Sequence, residues 1–140
     1  MKDNEIKQLN MALKGEHMAI EVFDHYILDA KDEKVKEKLQ EVQQQHKFQA
    51  VEISERIQKL GGNPVNTSGV AGAFAEIKFK VTPNKYINNN VVKTAIEGER
   101  LGLSALKEIE FKLNDNNNSN MIHNMIIENQ KIVSDLNSLM

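Results

Sequence analysis

The chain has 140 residues, 40% hydrophobic and 27% charged, with 18 Lys and Arg against 20 Asp and Glu and no cysteine. That length suits one domain, residues 1–140, with a real core, and the lack of cysteine excludes disulfides, thiolate metal sites and thiol nucleophiles. The balanced charge leaves no basic footprint for nucleic acid, no apolar run approaches the roughly 18–20 residues of a membrane span, and the polar start MKDNEIKQLN is no signal peptide. The expected location is the cytoplasm.

Two prolines and seven glycines are too few to punctuate many short strands, so the composition leans helical. Leu9, Leu13, Glu16, Ile20, Phe23 and Ile27 recur at steps of three and four, which predicts a first helix over 4–29. Asp32 is the expected N-cap of a second helix over 32–60, whose stripe is Val35, Leu39, Val42, His46, Ala50, Ile53, Ile57 and Leu60. Gly61-Gly62-Asn63-Pro64 ends it. The segment 61–87 reads as a long connection with a short amphipathic helix near 70–81. A third helix over 88–113 carries Val92, Ala95 or Ile96, Glu99, Leu103, Leu106, Ile109 or Glu110, and Leu113. Asn114 to Asn120 reads as a loop, and a fourth helix over 119–138 carries Met121, Met125, Glu128, Ile132, Leu136 and Leu139. One long connection between two short ones suggests two helical hairpins joined by a crossover, with 61–87 running the length of the bundle. An ordinary bundle with a decorated loop is the alternative.

Each apolar stripe contains one polar residue that could bind a metal. Glu16, His46, Glu99 and Glu128 stand where an apolar side chain is otherwise expected. A buried carboxylate must be paired, protonated or metal-bound. One such residue could sit at a stripe edge; one per helix predicts convergence at a single level of the core. His17, Glu21 and His25 form a weaker cluster on a solvated face of the first helix, and His123 reads as a surface residue.

This pattern resembles the ferritin-like di-iron carboxylate superfamily, which includes ferritins, bacterioferritins and rubrerythrins. There each helix pair supplies a Glu from its first helix and a Glu-x-x-His from its second. Gly15-Glu16-His17-Met18-Ala19 and Gly98-Glu99-Arg100-Leu101-Gly102 resemble the segment around the first-helix ligand, and the two halves look like a weak internal repeat. Leu60-Gly61-Gly62-Asn63-Pro64, the Thr67-Ser68-Gly69 stretch and Glu97-Gly98-Glu99 are similar to a family of small bacterial ferritin-like proteins of unknown function. The resemblance implies an all-α, ferritin-like four-helix bundle with an incomplete di-metal site, of which Glu16, His46, Glu99 and Glu128 remain as candidate ligands for Fe, Mn or Zn, or for no metal at all. The sequence departs from that pattern at Gln43, where Glu is expected, and at Lys131, where His is expected. Glu97 is a candidate substitute ligand, but helical spacing puts it on a different face from Glu99. Ferroxidase-like activity is therefore not expected. An inward Lys131 could neutralise the three glutamates in place of a metal, and this is the reading the spacing favours.

Three functions follow. One is a bundle with an incomplete di-metal site that binds iron or another divalent ion. The alternative is a non-enzymatic bundle in which a buried ion network replaces the site, acting as a stress- or spore-associated interaction protein. A storage or cage subunit comes last. The compatible partners are a divalent metal ion and a second copy in a homodimer, with no nucleic acid and no membrane.

Overall fold

The computed structural model describes residues 2–67 and 90–140. It contains helices α1 (Lys2–Asp29), α2 (Glu33–Lys59), α3 (Asn90–Lys112) and α4 (Asn116–Asn137), with no strand among the described residues. None of these helices is long and apolar enough to cross a membrane.

Local chemistry sets the boundaries. Asp32 caps α2, its carboxylate accepting from the amides of Lys34 and Val35. At the other end, the Gly62 amide donates to Ile57 and the Gly61 amide to Gln58, the paired bonds of a Schellman turn. Gly61 takes the left-handed conformation this turn requires, with φ +85°. Gly62 is needed for space instead, since a Cβ there would lie 2.8 Å from Ile6 Cγ2. Helix α4 starts earlier than the sequence reading places it, inside the asparagine run. Asp115 is its N-cap and accepts from the Asn118 amide. Asparagines that would weaken a helix interior are tolerated in a capped first turn.

Helices α1 and α2 form one hairpin and α3 and α4 the other; α1 lies beside α3, and α2 more loosely beside α4. The apolar side chains divide into two clusters. One joins Leu9, Leu13, Ile53, Ile57, Leu113 and Ile122; the other joins Phe23, Tyr26, Leu39, Val92, Ile96 and Leu136. The C-terminal end of α2 sits in the first cluster and the N-terminal end of α3 in the second. Helix α3 thus starts at the opposite end of the bundle from where α2 stops. This is the expected two-hairpin arrangement and excludes an up-down bundle with α2 and α3 as adjacent antiparallel neighbours. Residues 68–89, and with them the short helix expected near 70–81, lie outside the described residues.

Candidate metal centre

Between the two apolar clusters lies a polar layer. Its buried members are Glu16 on α1, His46 and Gln49 on α2, Glu99 on α3 and Asn129 on α4. Three of the four residues anticipated from the stripes meet here. The His46 ring stands between two carboxylates, with Nδ1 3.0 Å from Glu16 Oε1 and Nε2 2.6 Å from Glu99 Oε1. A ring that faces a carboxylate with both nitrogens donates to both when it is imidazolium. Burial opposes the charge on His46, but the hydrogen bonds to Glu16 and Glu99 and the two negative charges outweigh it, and its pKa is pushed up to about 10. Burial also raises the pKa of Glu16, against the lowering effect of His46. The triad therefore holds at least one proton tightly. The Phe23 ring lies 5.7 Å from the imidazole, centroid to centroid, and walls the triad on one side.

The rest of the layer is amide. Gln43 is buried, but it donates to the Ile20 carbonyl at 2.9 Å and to Asp24 Oδ1 at 2.7 Å, away from the triad. Gln49 donates to Asn129 Oδ1 and to Glu128 Oε1, both at 2.9 Å. Glu128 itself is exposed and lines a separate groove between α2 and α4, alongside Phe48 and Glu52. It does not join Glu16, His46 and Glu99. Lys131 is a correction: its side chain is 77% exposed and pairs with Asp135 at 3.1 Å, one turn along α4. The cation among the buried carboxylates is His46, not this lysine.

The residue overlooked in sequence is Asn129. From Glu16 to His46 is 30 positions, and the same step from Glu99 reaches Asn129. The internal repeat thus pairs Asn129 with His46 and Ile126 with Gln43. The seven-residue gap from Met125 to Ile132 can be bridged at 128 or at 129, and the packed helix uses 129. A complete two-metal site would need carboxylates at 43 and 126 and imidazole at 129. An amide turned to the α1 backbone, an apolar side chain and a second amide stand there instead. The donor set does not fit two metal ions. Two carboxylates and one imidazole could hold one ion once the ring gave up a proton, though among the described residues no group of three or more His, Cys, Asp or Glu is arranged around a common point to hold one.

Beside the triad, α1 and α3 leave a cleft of about 310 Å³, lined by Gly15, Ala19, Gly98, Leu101 and Gly102 and by the triad itself. A Cβ at Gly15 or Gly102 would meet nothing within 4 Å, so these glycines leave open space. Glu16 Oε2 is buried and has no hydrogen-bond partner.

The other candidates resolve as structural or surface features. His17 Nε2 lies 3.1 Å from the Val65 carbonyl, and His25 is exposed. His123 pairs with Glu110 at 2.9 Å on the surface. Glu97 is exposed, facing away from Glu99. Glu5, unremarked in the sequence, is buried and accepts from the Asn114 and Asp115 amides and from Asn118 Nδ2. Burial resists its charge, but these donors prevail and hold its carboxyl below the usual range. It fastens the start of α1 to the α3–α4 turn.

The fold is that of known ferritin-like proteins. A dodecameric thioferritin, the bacterioferritin-related protein of Bacteroides fragilis, superposes with a TM-score of 0.77 at 21% identity, covering 99% of this chain and 84% of its own. A ferritin-like di-iron-carboxylate protein of Bacillus anthracis str. Ames gives 0.77 at 17% identity, covering 99% and 96%. The DPS protein of Vibrio cholerae O1, from the superfamily of ferritin-like di-iron-carboxylate proteins, gives 0.79 at 16% identity, covering 99% and 89%. At these identities the likeness establishes the ferritin-like four-helix bundle alone. No protein of curated function matches the sequence. Residues 4–112 match the family described as "Domain of unknown function (DUF2383)", and the chain belongs to that family.

Proposed function

We propose that this chain is a ferritin-like binding protein in which a held proton takes the place of the metal, and that it has no ferroxidase activity. The observation that carries this reading is the His46 ring, seated between Glu16 and Glu99 with one nitrogen engaged by each. Gln43, Ile126 and Asn129 support it, because none brings charge to the positions where a two-metal centre needs ligands. An imidazolium with a pKa near 10 stays charged at neutral pH and repels a divalent ion.

A second reading is a single divalent ion on Glu16, His46 and Glu99, favoured by the unpartnered Glu16 Oε2. Carboxylate and imidazole donors suit Fe, Mn or Zn without choosing among them. Iron in the ferritin-like neighbours belongs to those proteins and enters this chain only as part of this reading. The deciding experiment is an anaerobic titration with ferrous iron at pH 7, followed by admission of oxygen. The expected result is less than a tenth of an equivalent bound and no oxygen uptake above buffer. Two equivalents bound with oxygen consumed would refute the proton-held site; one equivalent without turnover would establish the second reading.

A further inference from the structure

We propose that this chain self-associates head to tail, the outer face of α3 in one copy lying in the groove between α2 and α4 of the next. The inference does not depend on what the triad holds.

The groove is the acceptor. Helix α2 packs loosely on α4, and the opening between them holds about 530 Å³. Val42 and Ile132 line its floor, and Phe48 borders it, 67% exposed. Glu41, Glu52, Glu128 and Asp135 line it too, against Lys38 and Lys131. Both lysines are already taken. Lys38 pairs with Glu41 at 3.6 Å and with Asp135 at 3.1 Å, and Lys131 pairs with Asp135 at 3.1 Å. Arg56, one turn beyond Glu52, pairs with Asp115 at 3.6 Å. Glu52 and Glu128 are exposed and have no ion pair among the described residues, and Glu128 and Glu55 act on Glu52 as like charges. This end of the groove is left to be answered by a cation from outside.

The same chain carries the complement. Lys93, Arg100 and Lys107 recur every seven residues on α3, so they form one exposed stripe with a cation about every 10.5 Å. None of the three has an ion pair among the described residues, and the neighbouring Glu108 is answered by Lys112 at 3.2 Å. Phe111, 89% exposed, lies one turn beyond Lys107, as Phe48 lies one turn before Glu52. Each charged face thus offers a bare aromatic beside its charge, and buried aromatics with charges at the rim are what interfaces are built from. Helices α2 and α3 sit at opposite corners of the bundle, each beside α1 and α4. A single copy cannot lay its own stripe in its own groove. Because the two patches differ, the contact is heterologous and repeats into a ring or an open chain.

The test is analytical sedimentation of the full chain over a range of concentrations, in about 50 mM and about 500 mM salt. The average mass of wild type should climb past that of a dimer as concentration rises, and should fall at the higher salt. Glu52→Lys combined with Glu128→Gln leaves both faces basic and should give a monomer; the second substitution keeps an oxygen for the Gln49 amide. Arg100→Glu combined with Lys107→Glu leaves both faces acidic and should also give a monomer. Mixed in equal amounts, the two variants should associate again, since each face of one then meets an opposite face of the other. Phe48→Ser should weaken association about tenfold or more. All five positions are exposed, and circular dichroism checks that each variant keeps its helices. A wild type that stays monomeric, an assembly that ignores the charge changes, or a mixture that does not re-form overturns the proposal.

Discussion

Replacing His46 by glutamine removes the one cation that the described residues place in the polar layer and tests the centre directly. Glutamine can donate to one carboxylate but not to both, and it carries no charge. The pKa of the ring moves from an ordinary 6.5 to about 10 in the folded chain. At about 1.4 kcal/mol per unit, a shift of that size is worth up to ~5 kcal/mol. The raised pKa of Glu16, which burial produces, offsets part of it. Leaving two buried carboxylates without their cation should then cost ~3–5 kcal/mol at pH 7. The pH dependence carries the sign. Because the folded pKa of His46 is raised, its contribution is fully present below pH 6.5 and is lost as pH rises through about 10. Wild type should therefore lose stability steadily across that window. The variant should lack this slope and should instead gain stability from pH 7 towards pH 5, as its stranded carboxylates take up protons. Urea unfolding followed by circular dichroism at pH 5, 7 and 9.5 measures both curves. A loss below ~1 kcal/mol at pH 7, or parallel curves for the two proteins, would refute an imidazolium between two carboxylates.

Four further outcomes follow from the geometry. Glu5→Ala strips the α3–α4 turn of its acceptor and should cost about 2–4 kcal/mol. Because the Glu5 pKa is lowered, that contribution is present above pH 4.5 and disappears as pH falls through the folded value, so acid unfolding curves of wild type and variant should converge. Gly62→Ala should destabilise by ~1–3 kcal/mol, because its Cβ would meet Ile6 and Ile57 at 2.8 and 3.0 Å. Gly15→Ala, with nothing within 4 Å of the new carbon, should raise stability by ~0.5–1 kcal/mol; urea midpoints of the two variants should lie on opposite sides of wild type. Lys131→Ala should leave the midpoint unchanged, since the side chain is exposed and its partner Asp135 keeps Lys38 at 3.1 Å.

The two-hairpin fold was legible because its signals are redundant. The stripe from Leu9 to Phe23 sets the register of α1 many times over, so the single polar member Glu16 could be placed inside. The same holds for His46 between Val42 and Ala50, and for Glu99 between Ile96 and Leu103. On α4 the redundancy fails at one point. A gap of seven accepts a step of three then four or four then three, and a carboxylate at 128 draws attention away from an asparagine at 129. The repeat spacing of 30 resolves it, since α1–α2 and α3–α4 are packed alike. The burial of Glu5 left no such trace. Its donors come from residues more than a hundred positions away, and no local period reports a contact of that kind.

The charge balance of the polar layer decides what competes for it. In the complete superfamily pattern, four carboxylates answer two divalent ions. Gln43 and Ile126 remove two of those negative charges, and Asn129 adds none. Two carboxylates and one imidazole remain, and either two protons or one divalent ion bring them to neutrality. Lys131 stays outside, where its ammonium keeps its hydration and pairs with Asp135 at 3.1 Å, and is spared the cost of burying a charge. Protons and metal are then direct competitors for Glu16, His46 and Glu99. An ion that displaced both protons would bind up to about a hundredfold more tightly per unit rise in pH, and one that displaced the ring proton alone about tenfold. That slope, measured with zinc between pH 6 and 9, counts the protons held by the triad without reference to oxygen chemistry. A slope of zero would mean that any zinc bound lies elsewhere on the chain.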